Sequence, residues 1–396
     1  MTKNANAQIK NKTKLTKKSY KGCKTALLLT GGGASAAYQV GVLKAVATFM
    51  PRNHGIPFPI ISGTSAGAIN ATTIACYASC FHLGIRKLEY VWNNLKTNHV
   101  YHSSVSKVFG HILRGVFSSF QAGYAPKTPN SLLNNAPLRQ LLTNVIDFKR
   151  IDANILTGYL SSIAVTASSY HSGESISFYQ ADKSIQPWVR SKRRGIQTQL
   201  NTEHLMASAA IPMIFPSVQI GQNHYGDGSV SQLSPLSTPI HLGAEKLFIV
   251  GTEQPQKRLH HAVNFKQAPS IANIAGKLMD TVFSEALASD LERMHRINKT
   301  VKLIEKNKRD LQSNLRVVDS FIINPSADFH VIANEFYDEM TWSIRLLLRF
   351  FGVHRNTETT LTSYILFEQE YCKKLIQLGY QDALEQEQAI REFLNI

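Results

Sequence analysis

The sequence predicts an α/β protein, a three-layer α/β/α sandwich with a mostly parallel central sheet and additional C-terminal helices. A short apolar run from Thr25 to Thr30 leads into a glycine turn and then a helical pattern. The apolar run from Ile56 to Ile61 leads into a second turn of small residues and a second helix. Strand, turn and helix in repetition are typical of a parallel sheet covered by helices on both faces. From Ile271 onwards, apolar residues recur at helical spacing and predict the C-terminal helices.

The individual elements follow from apolar spacing and from residues that end helices. The first helix is predicted from Tyr38 to Phe49, with Pro51 ending it. The charge-free stretch from Ala66 to Phe81 is predicted to be one buried helix. Residues 84–150 are predicted to be mostly helical, with a polar interruption from Gln121 to Pro129 that fits a lid or a plain surface loop equally. Further strands are predicted at Leu160–Ala167, Ser175–Tyr179, Ser217–Ile220, Lys246–Gly251 and Ser320–Asn324.

The composition is that of a globular protein. The chain has 396 residues, of which 43% are hydrophobic, so it can bury a substantial core. No apolar run reaches the roughly 18 residues that a membrane-spanning helix needs. The cysteines, which are predicted to be reduced rather than paired in disulfides, are Cys23, Cys76, Cys80 and Cys372.

The formal net charge of +16 is spread unevenly along the chain. Residues 1–24 hold eight Lys, and no Asp or Glu occurs before Glu89. This segment has no apolar core of a secretory signal, and we expect a basic, disordered tail. Attraction to anionic lipid and a merely solvated tail both remain open. Specific nucleic-acid binding is not expected, because the tail lacks interleaved aromatic residues.

The first glycine turn, from Gly31 to Ala36, has the spacing of a dinucleotide-binding loop. That function requires an acidic residue about 20 positions further on, and none occurs before Glu89. No Gly-Lys-Ser/Thr sequence closes the turn either, which disfavours a phosphate-binding P-loop. The alternative is that the turn presents backbone N–H groups to a negative charge that develops during acyl transfer.

The second turn contains Ser65 in the sequence Gly63-Thr64-Ser65-Ala66-Gly67. A serine in this G-x-S-x-G pattern can be held on a strained strand-to-helix turn as a nucleophile, although an inert serine fits the five residues equally. A nucleophilic serine needs a base. Asp227 lies between glycines in Tyr225-Gly226-Asp227-Gly228, where the backbone can aim its carboxylate. Histidines that follow Ser65 without a recognisable motif are His204, His224, His241, His261, His295 and His330.

Four ordered blocks of the sequence resemble the patatin-like phospholipase family. The resemblance covers roughly residues 25–255, and a later segment, Ser363 to Tyr380, is similar to the tail of some bacterial members. The four blocks are Gly31-Gly32-Gly33 with Tyr38-Gln39-x-Gly41-Val42-Leu43, Gly63 to Asn70, Ala207 to Pro212 with Phe215-Pro216, and Tyr225 to Gly228.

The resemblance implies a phospholipase A type of lipid acyl hydrolase with Ser65 as nucleophile and Asp227 as base, without histidine, metal or organic cofactor. It implies an oxyanion hole built from backbone amides in the set Gly31, Gly32, Gly33, Ala34 and Ala66. A lysophospholipase, thioesterase or acyltransferase with the same dyad remains an alternative, as does a weakly active lipid-binding module.

Three positions depart from the family pattern. Ser35 and Ala36 stand where the family usually has Arg or Lys followed by Gly, which puts the strength of the activity and a preference for anionic head groups in question. Ser229 stands where Gly or Ala is commoner.

The resemblance and the composition together suggest an organisation and a setting. Residues 25–255 are expected to form the catalytic domain and residues 256–396 a mainly helical extension packed on it. The expected partners are a lipid substrate and the surface of a membrane, an anionic one included, while the oligomeric state is left open. The expected location is cytoplasmic with reversible membrane association, and export without a cleaved N-terminal signal is left open.

Two further stretches have two interpretations each. The basic stretch Arg190 to Arg194 is interpreted as a solvated loop in preference to a contact for lipid head groups. The segment Trp342 to Val353 is interpreted as core packing in preference to an interfacial helix.

Overall fold

The computed structural model describes residues 24–102, 131–252, 271–304, 315–350, 353 and 360–396. The predicted tail up to Cys23 and the interruption from Gln121 to Pro129 lie outside the described residues. Within the described part, no helix is both long enough and apolar enough to cross a bilayer.

The centre of the fold is one mixed sheet of ten strands, whose main path has the order β10-β9-β1-β2-β3-β4-β6-β5. The five strands from β10 to β3 run parallel to one another. β4 and β8 both pair antiparallel with β3, and β7 pairs with β8. The strands are β1 Thr25–Leu29, β2 Ile60–Thr64, β3 Ser162–Ser169, β4 Ser175–Ala181, β5 Trp188–Arg190, β6 Arg193–Gln197, β7 Val218–Ile220, β8 Asn223–Asp227, β9 Lys246–Val250 and β10 Asp319–Ile323.

Helices cover both faces of this sheet and confirm the predicted three-layer architecture. The α-helices are α1 Ala37–Thr48, α2 Ala66–Cys76, α3 Phe81–Asn93, α4 Thr97–Val100, α5 Ala136–Val145, α6 Lys149–Leu156, α7 Thr202–Ser208, α8 Ser237–His241, α9 Ile271–Leu303, α10 Phe329–Glu335, α11 Trp342–Phe350, α12 Thr360–Ile365, α13 Gln369–Glu385 and α14 Glu387–Leu394. Short 3₁₀ helices are Gly33–Ala36, Gly228–Val230 and Tyr337–Glu339.

The alternation of side chains along β1 shows how the layers form. Leu27 and Leu29 belong to the larger core cluster, which contains α1, α2 and α13. Ala26 and Leu28 point the other way into a second cluster, against which Leu287 of α9 packs. Because successive strand residues face opposite sides, a strand that is apolar throughout must be covered on both faces.

Two glycines bring α1 and α13 into close contact. A Cβ atom on Gly41 would lie 2.7 Å from the backbone nitrogen of Tyr380. On α13, a Cβ atom on Gly379 would lie 3.1 Å from the carbonyl carbon of Tyr38. A side chain at either position would force the helices apart, which explains Gly41 in the first sequence block. The C-terminal segment is therefore part of the main core.

Three expectations from the sequence need correction. The strand predicted from Ile56 begins only at Ile60, because Pro57 and Pro59 cannot donate to a strand ladder. The helix predicted from Ala66 to Phe81 is two helices, since α2 ends at Cys76 and α3 starts at Phe81. The basic stretch Arg190 to Arg194 is not simply a loop, because its ends pair as strands β5 and β6 at the sheet edge.

The segment from Trp342 to Val353 has a divided environment. Ile344, Leu348 and Val353 are buried in the core, as expected from the sequence. Trp342 and Leu346 are exposed on the same helix, α11. Core packing therefore accounts for one face of this segment.

Candidate active site

Ser65 occupies a strained turn between β2 and α2. Its backbone has φ 55° and ψ −131°, a conformation that non-glycine residues rarely adopt. A Cβ atom on Gly63 would lie 2.6 Å from Cα of Ala68, and one on Gly67 would lie 2.5 Å from the carbonyl oxygen of Leu29. The two glycines are thus required because backbone from the flanking elements passes directly against them. The G-x-S-x-G pattern has a steric cause here.

Ser208, the last residue of α7, holds this turn through hydrogen bonds. The backbone N–H of Ser65 donates to Oγ of Ser208 at 2.9 Å. Oγ of Ser208 donates in turn to the carbonyl oxygen of Thr166, at 2.6 Å, on strand β3. Since the amide of Ser65 is engaged in this bond, the amide of Ala66 at the start of α2 is the better placed of the two to stabilise a negative charge.

Asp227 ends β8 and lies next to the Ser65 turn. Its backbone N–H donates to the carbonyl oxygen of Ala210 at 2.9 Å, and its Oδ1 accepts the N–H of Ser229 at 2.9 Å. Oδ2 is buried and has no hydrogen-bond partner of ordinary geometry among the described residues. This oxygen is therefore available to accept a proton.

The environment of Asp227 sets its protonation. The side chain is fully buried, and burial raises the pKa of the carboxyl from 3.8 to about 6. Hydrogen bonds from the side chains of Ser65 and Ser229 and from the Ser229 amide lower this pKa by smaller amounts. The lowering by Ser65 means that its hydroxyl lies close to this carboxyl group. Binding of a substrate can align the two groups for proton transfer. Near neutral pH, Asp227 is mostly ionised and can act as a base.

None of the described histidines is positioned as a base for Ser65. His204 is buried, accepts the N–H of Asn201 at the start of α7 and packs edge-on against Phe178, and burial lowers its pKa to about 4. His241 stacks on Trp188. No described histidine forms a hydrogen bond with Ser65, and His261 lies outside the described residues.

The first glycine turn lies against the nucleophile candidate. A Cβ atom on Gly31 would lie 3.2 Å from Cβ of Ser65 and 2.8 Å from Oγ of Ser229. Gly33 has φ 54°, which glycine adopts without strain. Gly33 also lines the same cavity as Ser65 and Ala66.

Gly32 and Ala34, two further members of the predicted amide set, lie in the same turn. A Cβ atom on Gly32 would meet Thr252, and Ala34 is buried within the 3₁₀ helix. Gly31, Gly33 and Ala66 are the members placed at Ser65.

A buried polar network fixes the turn to α2. The side-chain amide of Gln39 donates to the carbonyl oxygen of Thr30 at 2.8 Å. Asn70 on α2 donates to the carbonyl oxygen of Ala36 at 3.1 Å and to Oε1 of Gln39 at 3.0 Å, and accepts from the indole N–H of Trp92 at 2.9 Å. The sequence blocks contain Gln39 and Asn70 but gave them no role, and nothing in the local sequence marks Trp92.

Ser35, the departure from the family pattern, is buried beneath the C-terminal helices. Its hydroxyl donates to the carbonyl oxygen of Ser363 at 3.3 Å and lies 3.4 Å from the hydroxyl of Tyr371. An arginine or lysine here would have to displace these contacts. The C-terminal segment thus takes the place next to the glycine turn that a cationic side chain would need.

An apolar cavity opens beside Ser65. Its volume, measured as the space open to the centre of a water molecule, is ≈ 60 Å³. This is several times the volume that one buried water molecule needs on the same measure. Gly33, Ser65 and Ala66 line it together with side chains that are almost all apolar. Those apolar side chains include Ile69, Leu88, Trp92, Leu138, Leu142, Val145, Ile211, Phe215 and Phe367. Such a lining suits a hydrocarbon chain and excludes a charged group.

Comparison with known proteins assigns the family. The model of the patatin-like phospholipase family matches residues 27–240, more than half of the chain. The chain therefore belongs to the patatin-like phospholipase family. This membership supports a lipid acyl hydrolase activity of the phospholipase type. A comparison with curated proteins finds no match.

Proposed function

We propose that this protein is a phospholipase A, which hydrolyses the carboxylic ester between an acyl chain and the glycerol of a phospholipid. The observation that carries the proposal is the strained Ser65 beside the buried carboxyl of Asp227, at an apolar cavity. The family supports the general class of reaction, and this geometry supports the particular dyad.

In the first half of the reaction, Oγ of Ser65 attacks the ester carbonyl carbon. Its proton passes to Oδ2 of Asp227, the carboxylate oxygen that accepts no hydrogen bond of ordinary geometry from the described residues. Backbone amides of the predicted set are proposed to hold the oxyanion, with Gly31, Gly33 and Ala66, the members that lie at Ser65, as the first candidates. Removal of one such donor typically lowers kcat by ~10²–10³. Collapse of the intermediate breaks the ester C–O bond, and Asp227 returns the proton to the departing alcohol.

In the second half, water attacks the acyl group on Ser65. Asp227 accepts a proton from this water and returns it to Oγ of Ser65, which releases a fatty acid. A pKa of about 6 suits both roles, because the carboxylate is ionised at neutral pH yet remains a usable acid. The scheme needs neither metal nor organic cofactor.

The cavity is proposed to hold the acyl chain of the substrate. Its wall offers large apolar side chains from α3 and α5, among them Leu88, Trp92 and Leu142. A zwitterionic or anionic head group cannot enter such a lining and stays at the mouth. Chain length is therefore the property of the substrate that the cavity selects.

We further propose that the enzyme acts from the cytoplasm and associates reversibly with the membrane that supplies its lipid. Export without a cleaved N-terminal signal is the alternative location. The net charge of +16 supports contact with anionic lipid surfaces.

The test is product analysis on defined lipids. Vesicles of a phospholipid with different acyl chains at the two glycerol positions are incubated with wild type, Ser65→Ala and Asp227→Asn, and fatty acid and lysophospholipid are quantified by mass spectrometry. We expect both products from wild type and a loss on the order of 10³-fold or more in each variant. Lysophospholipids, acyl thioesters and acceptor alcohols run in parallel separate a phospholipase A from the other acyl-serine enzymes. Equal release by Ser65→Ala would contradict the proposal.

A further inference from the structure

The basic turn between β5 and β6 lies at the same edge of the sheet as the candidate active site. Asp227 pairs with Ala167 on β3, and the next residue of β3, Ser168, pairs with Ser175 at the start of β4. Ser175 pairs in turn with Arg193, the first residue of β6. From β2, which delivers Ser65, to β6 there are three strand spacings, roughly 14 Å. The strand register therefore places the cationic turn at the edge of the sheet that carries Ser65 and Asp227.

This turn presents positive charge to solvent. Arg190, Lys192 and Arg194 are all exposed. Within the described part of the chain, Arg194 has an acidic partner, Glu174 at 3.4 Å, whereas no ion pair is recorded for Arg190 or Lys192. Among the described residues, the guanidinium of Arg190 donates to the carbonyl oxygen of its neighbour Val189, at 2.9 Å.

Amphipathic and apolar side chains are exposed along the same edge. Tyr170, in the turn between β3 and β4, is 52% exposed, and its ring lies against Gly226. Burial and the nearby negative charge of Asp227 both raise the pKa of its phenol. Met213 is 64% exposed and lies in the loop between Ile211 and Phe215, which line the cavity.

We propose that Tyr170, Arg190, Lys192 and Met213 form a docking surface for a bilayer that contains anionic phospholipid. This docking surface rests on the proposed function in one respect, namely that the substrate is a lipid of the bilayer. Arginine and lysine bind the phosphate and anionic head groups, at roughly fivefold in affinity for each well-placed charge. Tyrosine occupies the interface between head groups and hydrocarbon, and the exposed methionine enters the apolar layer.

The position of the cavity favours a membrane over a nucleic acid as the partner. An acyl chain leaves the bilayer for the cavity with least exposure to water when the mouth faces the membrane. Single-stranded RNA would be held by several aromatic residues interleaved with the charges, and Tyr170 is the one aromatic residue in the docking surface. Met213, the other uncharged residue of the docking surface, can insert into the apolar layer of a bilayer.

The chain contains a matched control pair. Arg52, in the segment before β2, and Lys183, in the loop after β4, are exposed in the same way. β4 ends at Ala181, opposite Ser162 at the start of β3, so Lys183 lies at the far edge of the sheet. Neutralising this pair changes the net charge as much as neutralising Arg190 and Lys192, without touching the docking surface.

The experiment measures partition onto vesicles in the Ser65→Ala protein, which binds lipid without consuming it. The pairs Arg190→Gln/Lys192→Gln and Arg52→Gln/Lys183→Gln are compared by co-sedimentation with vesicles of phosphatidylcholine alone and with added phosphatidylglycerol. We expect the first pair to weaken partition onto the anionic vesicles by about 30-fold and the control pair by less than about 2-fold. Salt should remove most of the difference.

Two outcomes would overturn the docking surface. One is an equal loss in both pairs, which would assign the binding to overall charge or to the basic N-terminal segment. The other is tighter binding to a single-stranded RNA than to anionic vesicles at the same salt, with the same dependence on Arg190 and Lys192. Either result leaves the proposed hydrolase untouched, because the vesicle hydrolysis assay on wild type decides that separately.

Discussion

Replacing Asp227 by asparagine is expected to stabilise the folded chain at neutral pH while it removes the base. Burial raises the pKa of this carboxyl to about 6, against 3.8 for an ordinary aspartate. The proton on the buried group stabilises the folded state below pH 3.8, and this contribution is lost as the pH rises from 3.8 through about 6. The loss amounts to about 3 kcal/mol, which asparagine avoids because it cannot ionise.

Urea denaturation at a series of pH values measures this effect. The free energy of unfolding of Asp227→Asn, relative to wild type, should rise by about 2.4 kcal/mol between pH 4 and pH 7. The buried amide nitrogen that replaces Oδ2 changes the free energy of unfolding by the same amount at every pH. The informative quantity is therefore the slope of the stability difference against pH. Wild-type kcat/KM should fall about tenfold for each pH unit below pH 6.

Ser65→Ala provides the control for this prediction. It is also expected to be inactive, but it removes a hydroxyl that lowers the pKa of Asp227. Its stability relative to wild type should therefore fall, not rise, with increasing pH. A pH-independent difference for Asp227→Asn would refute the reasoning that burial raises the pKa of this carboxyl.

Three further substitutions test the surroundings of the site. Ser208→Ala removes the acceptor for the Ser65 amide, and we expect a loss of about 1–2 kcal/mol in unfolding free energy and a lower kcat; full activity would contradict its role in holding the turn. Ser229→Ala removes a side chain that lowers the pKa of Asp227, so the acidic limb of the kcat/KM profile should move to higher pH, and an unmoved limb would count against this contact. Leu142→Trp fills part of the cavity and should lower kcat/KM for long acyl chains more than for short ones, whereas an equal loss for both would place the chain elsewhere.

The sequence marks Ser65 and Asp227 as a candidate pair because each lies in a turn with glycines at fixed positions. A Cβ atom on Gly63 would meet Ala68, three residues beyond Ser65, and one on Gly67 would meet Leu29 on the neighbouring strand β1. Asp227 likewise lies between glycines whose neighbours are fixed by the sheet. The parallel core can also be predicted from the sequence, since four of the five residues of β1, Ala26 to Leu29, are apolar.

The supports of the site come from distant parts of the chain and leave no local mark. The bond between the Ser65 amide and Ser208 joins residues 143 positions apart. The contact of Ser35 with Ser363 spans 328 positions. Trp92 bonds Asn70 from a helix whose pattern reads as ordinary packing. Such contacts follow from topology, and a pattern of single residues does not reveal them.

The sequence does not reveal that the basic turn between β5 and β6 joins two paired strands, and the reason is different. Arg190 and Arg193 pair with each other at the edge of the sheet, where charged residues are common because they discourage pairing with another chain. Their composition is therefore typical of a loop although their backbone is that of a strand. The register across four strands, which the sequence does not show, relates this hairpin to Asp227.

The central claim is that Ser65 is the nucleophile and Asp227 its base. Labelling with a fluorophosphonate, which reacts only with an activated serine, tests it most directly when the modified peptide is identified by mass spectrometry. We predict one adduct on the peptide that contains Ser65, none on Ser65→Ala, and strongly slowed labelling of Asp227→Asn. Labelling of Ser65→Ala equal to that of wild type, or no labelling of the folded wild type, would contradict the account.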